Sequence, residues 1–372
     1  MWSSKSWKFF AVSFLLLLLF PAPTPAQHYK QTNLVSDITG VAPTIDPNLK
    51  NPWGLTRSSS SPWWIGNNNS GTSTLYTATG TIIPINGTGT VTVPPPGFAP
   101  GTQSAPTGVV FNGSPTDFLV APGKSAHFIF ATEDGTISGW AGGQSATLVV
   151  DNSDHGSANS AVYKGMTSAE IKGGKFLYVT NFRSAKVEVY DTNFHRFFPS
   201  NESGESFVAD EVPEGFAPFN IQNIGGTLFV TYAKQDGPRH DPVGGAGFGF
   251  VELFTPSGRN IGHLQHGDWF NAPWGVVWTT RDFGEFSNAI LVGNFRSGWI
   301  AAFNGFTHKF VGFLKNPDGS LVTIDGLWSL TFANDGIAGL ANTLYFTAGI
   351  NNETDGLFGT LTPVDGLDGD EE

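Results

Sequence analysis

Three oxygen-bearing side chains, Asn51, Asn220 and Asp325, each stand beside the start of a short apolar segment. Amide and carboxylate oxygens suit a hard divalent cation such as calcium. A cation held between several such segments would polarise an ester or lactone carbonyl for attack by water. The set is partial: the matching places in the second, third and fifth segments carry no carboxylate, and no Glu stands near Trp53. A second set is mostly aromatic. Trp53, Thr107, Lys164, Phe219, Trp274 and Trp328 occupy one position of a recurring string. Facing a channel mouth, they would stack on sugars or other flat ligands. Facing one another, they would wedge neighbouring repeats together, which is the simpler reading.

Other chemistries are excluded by what the chain lacks. Its 372 residues contain no cysteine, so neither a disulfide framework nor a thiolate nucleophile or metal ligand exists. No P-loop, Gly-x-Ser-x-Gly elbow or His-Glu-x-x-His occurs, and each of those needs a helix that the pattern does not supply. The pair His263-x-x-His266 lacks an accompanying carboxylate motif and reads as part of an outer strand or loop. A net charge of −12 argues against a nucleic-acid partner.

The elements that must position these residues form a repeat. Asn51-Pro-Trp-Gly-Leu55, Ala105-Pro-Thr-Gly-Val109, Val162-Tyr-Lys-Gly-Met166, Ala217-Pro-Phe-Asn-Ile221, Ala272-Pro-Trp-Gly-Val276 and Gly326-Leu-Trp-Ser-Leu330 share one pattern, and their fourth residues are 54, 57, 55, 55 and 54 apart. After each comes an apolar strand entering a polar turn: Trp64–Asn67, Phe128–Glu133, Leu177–Asn181, Leu228–Tyr232, Ile290–Asn294 and Leu344–Ala348. Third strands follow at Ser73–Tyr76, Thr136–Trp140, Lys186–Tyr190, Gly249–Phe254, Trp299–Phe303 and Gly356–Leu361. Fourth strands are legible in most units, with residues 194–208 supplying the third unit's. Four antiparallel strands repeated six times predict an all-β, six-bladed β-propeller. The sixth unit lacks its own outer strand, which Tyr29–Val35 would provide, closing the ring. The turns at Asn67–Gly71, Glu133–Gly135, Asn181–Ser184 and Asn294–Ser297 are explained by hairpin chemistry, and a site role for Arg183 or Arg296 is secondary. Residues 235–248 are the longest insertion, a lid or partner loop if ordered and a Gly-rich connection otherwise.

Flanking segments set the compartment. Lys5 and Lys8 precede an apolar run over 9–20, and a Pro/Ala stretch ends at Ala26. The run is too short to span a bilayer and reads as a signal peptide over 1–26. The expected domains are then the propeller over 27–363 and an acidic tail over 364–372. The mature chain, at −14 without Lys5 and Lys8, has no membrane span. It is expected to be a secreted monomer, in the apoplast or cell wall if the host is a plant. Asn68, Asn86, Asn112, Asn201 and Asn352 begin glycan-acceptor triplets.

The strings Thr32-Asn-Leu-Val-Ser-Asp37, Asn51-Pro-Trp-Gly54, Phe130-Ala-Thr-Glu-Asp-Gly-Thr-Ile-Ser-Gly-Trp140, Ala217-Pro-Phe-Asn-Ile-Gln-Asn-Ile224, Val230-Thr-Tyr-Ala-Lys-Gln235 and Leu344-Tyr-Phe-Thr-Ala-Gly349 resemble a secreted, uncharacterised β-propeller family of bacteria and plants, loosely NHL-repeat-like. The resemblance spans about residues 28–361 and implies export and a propeller, with no activity and no site residues. Hydrolytic six-bladed propellers of the gluconolactonase and paraoxonase type hold a divalent cation on the channel axis, and Asn51, Asn220 and Asp325 match that arrangement only in part. The leading expectation is therefore a cofactor-free binding module for an extracellular carbohydrate, peptide or protein, with Trp53, Lys164, Phe219, Trp274 and Trp328 at the channel mouth. A calcium-dependent hydrolase and a structural wall or matrix component are the alternatives.

Overall fold

A computed structural model describes residues 28–85, 87–199 and 206–364. The expected signal peptide and acidic tail, and the acceptors Asn86 and Asn201, lie outside the described residues apart from the tail's first residue. Six antiparallel sheets form the blades of a propeller. From the axis outward, the first blade is Pro52–Thr56, Trp63–Asn67, Thr72–Tyr76 and Thr90–Thr92. The next four begin at Pro106–Phe111, Tyr163–Ile171, Phe216–Ile224 and Pro273–Trp278, each continuing outward in chain order. The third blade's outer strand is short, Arg196–Phe197. The sixth runs Leu327–Phe332, Leu344–Ala348 and Leu357–Val364, and its fourth strand is the N-terminal His28–Ser36. That strand pairs from His28 with Val364 to Ser36 with Leu357, so the two ends of the described chain are joined in one sheet as expected. The only helical turns among the described residues are Asp154–Gly156 and Gly284–Phe286, and no helix there is long and apolar enough to cross a membrane.

Strand alternation explains why the blades stack. In Gly174–Asn181, Leu177 and Val179 pack toward the second blade while Tyr178 packs toward the fourth. The period of two thus gives every sheet two apolar faces. One apolar cluster fills each of the six gaps between neighbouring blades, and a seventh lies on the axis. Tyr29 anchors the closing strand in the gap between the fifth and sixth blades, where its hydroxyl donates to the Phe283 carbonyl at 3.0 Å.

The repeated glycine has a packing cause. A Cβ on Gly54 would lie 2.5 Å from the Thr107 carbonyl oxygen and 2.7 Å from the Val109 nitrogen of the next blade. The same clash, at 2.6 Å, awaits Gly108 against Met166 and Gly275 against Trp328. Inner strands therefore touch backbone to backbone around the axis, and only a residue without a side chain fits. Asn220 and Ser329 hold the same place with side chains: that of Asn220 donates to the Trp274 carbonyl at 2.8 Å, and Ser329 is small and buried.

Candidate functional site on the propeller axis

In every blade the pairing of the inner strand slips by a bulge over or beside the third and fourth residues of the repeated string. A bulge leaves carbonyls out of the ladder and re-aims side chains. Here it turns the third residue to the axis, and side chains of the ring take up the released carbonyls. Trp53 O accepts from Thr347 Oγ1 at 2.6 Å, Lys164 O from Trp274 Nε1 at 3.0 Å, and Tyr163 O from Thr107 Oγ1 at 2.8 Å. In the three blades that carry tryptophan, the first residue of the string also takes positive φ: Asn51 at 45°, Ala272 at 53° and Gly326 at 62°.

The result is a plug. Trp53 stacks on Trp328 with centroids 3.5 Å apart, and Trp328 stacks on Phe295 at 4.0 Å. Trp274 meets both indoles edge-on at 6.1 and 5.9 Å, and Phe219 packs against the same pair. These rings are 0–4% exposed. Trp53, Phe219, Trp274 and Trp328 thus fill the channel instead of lining an open mouth, and stacking on a sugar there is ruled out by burial.

Lys164 is the exception among the bulge residues. Its Nζ lies against the plug, 5.2 Å from the Trp53 ring and 5.8 Å from the Phe182 ring. Its ammonium emerges among polar side chains at one pole of the axis. There it pairs with Glu133 and, at 3.2 Å, with Asp241. The groups around it come from the turns after the second strands. Asn68, Glu133, Phe182, Phe295 and Gly349 hold matching places in five blades. The N–H of each donates to the carbonyl of the first residue of its blade's string, respectively Asn51, Ala105, Val162, Ala272 and Gly326, at 2.8–3.0 Å.

Asn68 Nδ2 donates to the second Glu133 oxygen at 2.7 Å, and Asn51 Nδ2 donates to Glu353 at 3.1 Å. The 235–248 insertion is ordered and overhangs the pole. It brings Asp241, bonded to His240 Nδ1 at 3.0 Å, and is tied down by Arg296, whose Nη2 donates to the Pro242 carbonyl at 3.1 Å. Burial, reinforced by the charge of Glu133, pushes the Glu353 carboxyl up. The His240 bond holds Asp241 well below the usual carboxylate range, and the same bond raises His240.

The predicted metal ligands do not converge. Asn220 is consumed inside the ring of inner strands, Asn51 accepts from Trp328 Nε1 at 2.9 Å, and exposed Asp325 caps the Asn351 N–H at 2.9 Å. A different set, Glu133, His240 and Asp241, places three donor atoms within 4.8 Å of one another. Lys164 already supplies a positive charge to both of those carboxylates. A protein ammonium thus stands where a cation would be drawn. His263 and His266 go separate ways, to Glu211 at 3.4 Å and to the Gly249 carbonyl at 3.1 Å. Arg183 ties down the Ser157 and Ser160 carbonyls.

Two glycan acceptors are corrected by the fold. Asn68 and Asn112 are 5% and 6% exposed. The Asn68 amide is spent on Glu133, and that of Asn112 bonds Ser114, Asp117, Ser125 and Ala126. Neither can carry a glycan in this structure. Asn352 is exposed.

Comparison with known proteins agrees with this architecture. Over 344 residues the chain is 30% identical to an uncharacterised protein of Acanthamoeba polyphaga mimivirus, covering 90% of this chain and 80% of the viral one. The chain belongs to the family of that viral protein. A second uncharacterised mimivirus protein is 28% identical over 357 residues, covering 90% and 85%. No family model matches, so the looser likeness to NHL-type repeats finds no counterpart there. Among solved structures, a Bacteroides thetaiotaomicron protein of unknown function aligns with a TM-score of 0.52 at 10% identity, over 90% of this chain and 76% of that one. That likeness concerns the β-propeller fold alone.

Proposed function

We propose that this protein is a secreted recognition propeller that binds a charged extracellular ligand, best matched by a peptide, at the polar pole of its axis. The carrying observation is Lys164. Its side chain is 1% exposed, in a ring position that other blades fill mostly with aromatics. A buried ion pair contributes less to stability than an apolar residue of similar size. Its retention beside Glu133, His240, Asp241 and Glu353 therefore favours a role in binding. The cluster offers both signs of charge within hydrogen-bond reach, which suits a ligand carrying both. The exported compartment rests on the N-terminal segment.

The test is selection from a displayed random-peptide library against the mature chain, followed by titration of the enriched peptides. Asp241→Asn and Glu353→Gln should weaken them at least tenfold. Enriched peptides that bind both variants unchanged would refute the axial site. A second reading, a metal-dependent hydrolase, is favoured by the spacing of Glu133, His240 and Asp241. It requires calorimetric calcium or zinc binding by the unaltered protein that Asp241→Asn abolishes. Export is checked by N-terminal sequencing of the secreted product, expected to begin at Gln27.

A further inference from the structure

Away from the axial cluster, a cavity of about 480 Å³ lies between the connection over 152–161 and the outer half of the third blade. Its size falls in the range that holds small ligands. Every lining side chain except Ala161 can hydrogen-bond. The floor is held in place from behind. Glu188 pairs with Arg196 and accepts from Asn181 Nδ2 at 2.9 Å and from the Tyr163 and Tyr190 hydroxyls at 2.8 and 2.9 Å. Asn152 Nδ2 donates to both hydroxyls, at 2.7 and 2.8 Å. Such a network fixes the polar side chains that face the cavity before anything binds.

The rim, in contrast, is accessible and has bonding capacity to spare. Asp154 and Asn159 are exposed. Asp154 accepts from Ser157 through one oxygen only, and the Asn159 amide makes no side-chain hydrogen bond among the described residues. Beside them stands Phe98, 45% exposed: the Gly97 N–H donates to Asp151 at 2.8 Å, and the Phe98 ring lies 5.1 Å from that of His155. An exposed ring next to amide and carboxylate groups suits a pyranose, whose C–H face packs on the ring while its hydroxyls both donate and accept. The charges narrow the class. Arg196 is committed to Glu188, whereas Asp151 and Asp154 form no ion pair among the described residues. Those two carboxylates accept from hydroxyls and repel acidic sugars.

We propose that this cavity binds a neutral saccharide, one pyranose unit packing on Phe98 with its hydroxyls on Asp154 and Asn159. The proposal is independent of the axial site, because none of these residues belongs to that cluster.

The experiment probes an array of neutral and uronic oligosaccharides with the labelled mature chain, then titrates the retained sugars calorimetrically. Neutral saccharides should be retained and uronic ones rejected. Phe98→Ala and Asn159→Ala, both at exposed positions, should each weaken the retained sugar about fivefold to tenfold with an unchanged thermal melt. Asp241→Asn, at the axial pole, should leave sugar binding as it was. Three results would each overturn the proposal: no neutral saccharide retained, uronic sugars bound as tightly as neutral ones, or retained sugars that bind Phe98→Ala and Asn159→Ala as they bind the unaltered protein.

Discussion

Replacing Lys164 with Met removes the axial charge, which lies 5.2 Å from the Trp53 ring and 5.8 Å from the Phe182 ring, while keeping an unbranched side chain. Lys164 and Glu133 are 1% and 12% exposed, so their pair is a buried one. Removing one partner of such a pair costs about 3–5 kcal/mol, chiefly because the other charge is left unpaired. Asp241 is 58% exposed and screened by solvent, adding no more than ~1 kcal/mol. With a urea slope near ~3 kcal/mol/M, the unfolding midpoint should fall by about 1 M or somewhat more, read from the fluorescence of the buried tryptophans. Lys164→Met/Glu133→Gln should recover most of the stability. An unchanged midpoint at pH 7 would refute the reading of Lys164 as a buried ion-pair partner.

Further outcomes follow from the same geometry. Tyr29→Ala should cost about 3–5 kcal/mol in chemical unfolding, and deleting residues 27–40 should remove the cooperative melt; an unchanged curve would refute ring closure by the N-terminal strand. Gly275→Ala should destabilise by several degrees in a thermal melt, because its Cβ meets the Trp328 carbonyl at 2.6 Å, whereas Gly237→Ala, with nothing within 4 Å, should be neutral. Since Glu353 has a raised folded-state pKa, its ionisation opposes folding as pH rises past its unfolded value. Glu353→Gln should therefore gain stability at pH 7 and none at pH 3, as measured by urea midpoints. The raised His240 makes the opposite contribution: its bond to Asp241 is fully present below the ordinary histidine value and lost as pH rises through the folded one. Limited proteolysis within 235–248 should accelerate over that rise, and Asp241→Asn should remove the dependence.

The fold was legible because each blade writes the same instructions. Residues that alternate between two apolar faces, as Leu177, Tyr178 and Val179 do, declare a strand covered on both sides, and six such units with a spare N-terminal strand leave little but a closed ring. The site was less legible. Lys164 stood out as a charge in an aromatic series. Glu133, however, sits in a turn that hairpin chemistry explains fully, and its signal was positional: it shares with Asn68, Phe182 and Phe295 the place just after a second strand. Asp241 and Glu353 carry no periodic signal, because they enter on loops of differing length.

By itself, then, the sequence determined the six blades, their inner strands and the joining of the N-terminal strand to the sixth blade, since these follow from local periodicity and from the need to cover every apolar face. Only the tertiary structure decided which way the bulged residues turn. Whether Trp53 and Trp328 line a mouth or stack into a plug depends on how closely six inner strands approach, a distance set jointly by Gly54, Gly108, Gly165 and Gly275 across different blades. The same approach leaves a single ammonium at the pole, and it is this convergence of residues far apart in the chain that assembles the candidate site.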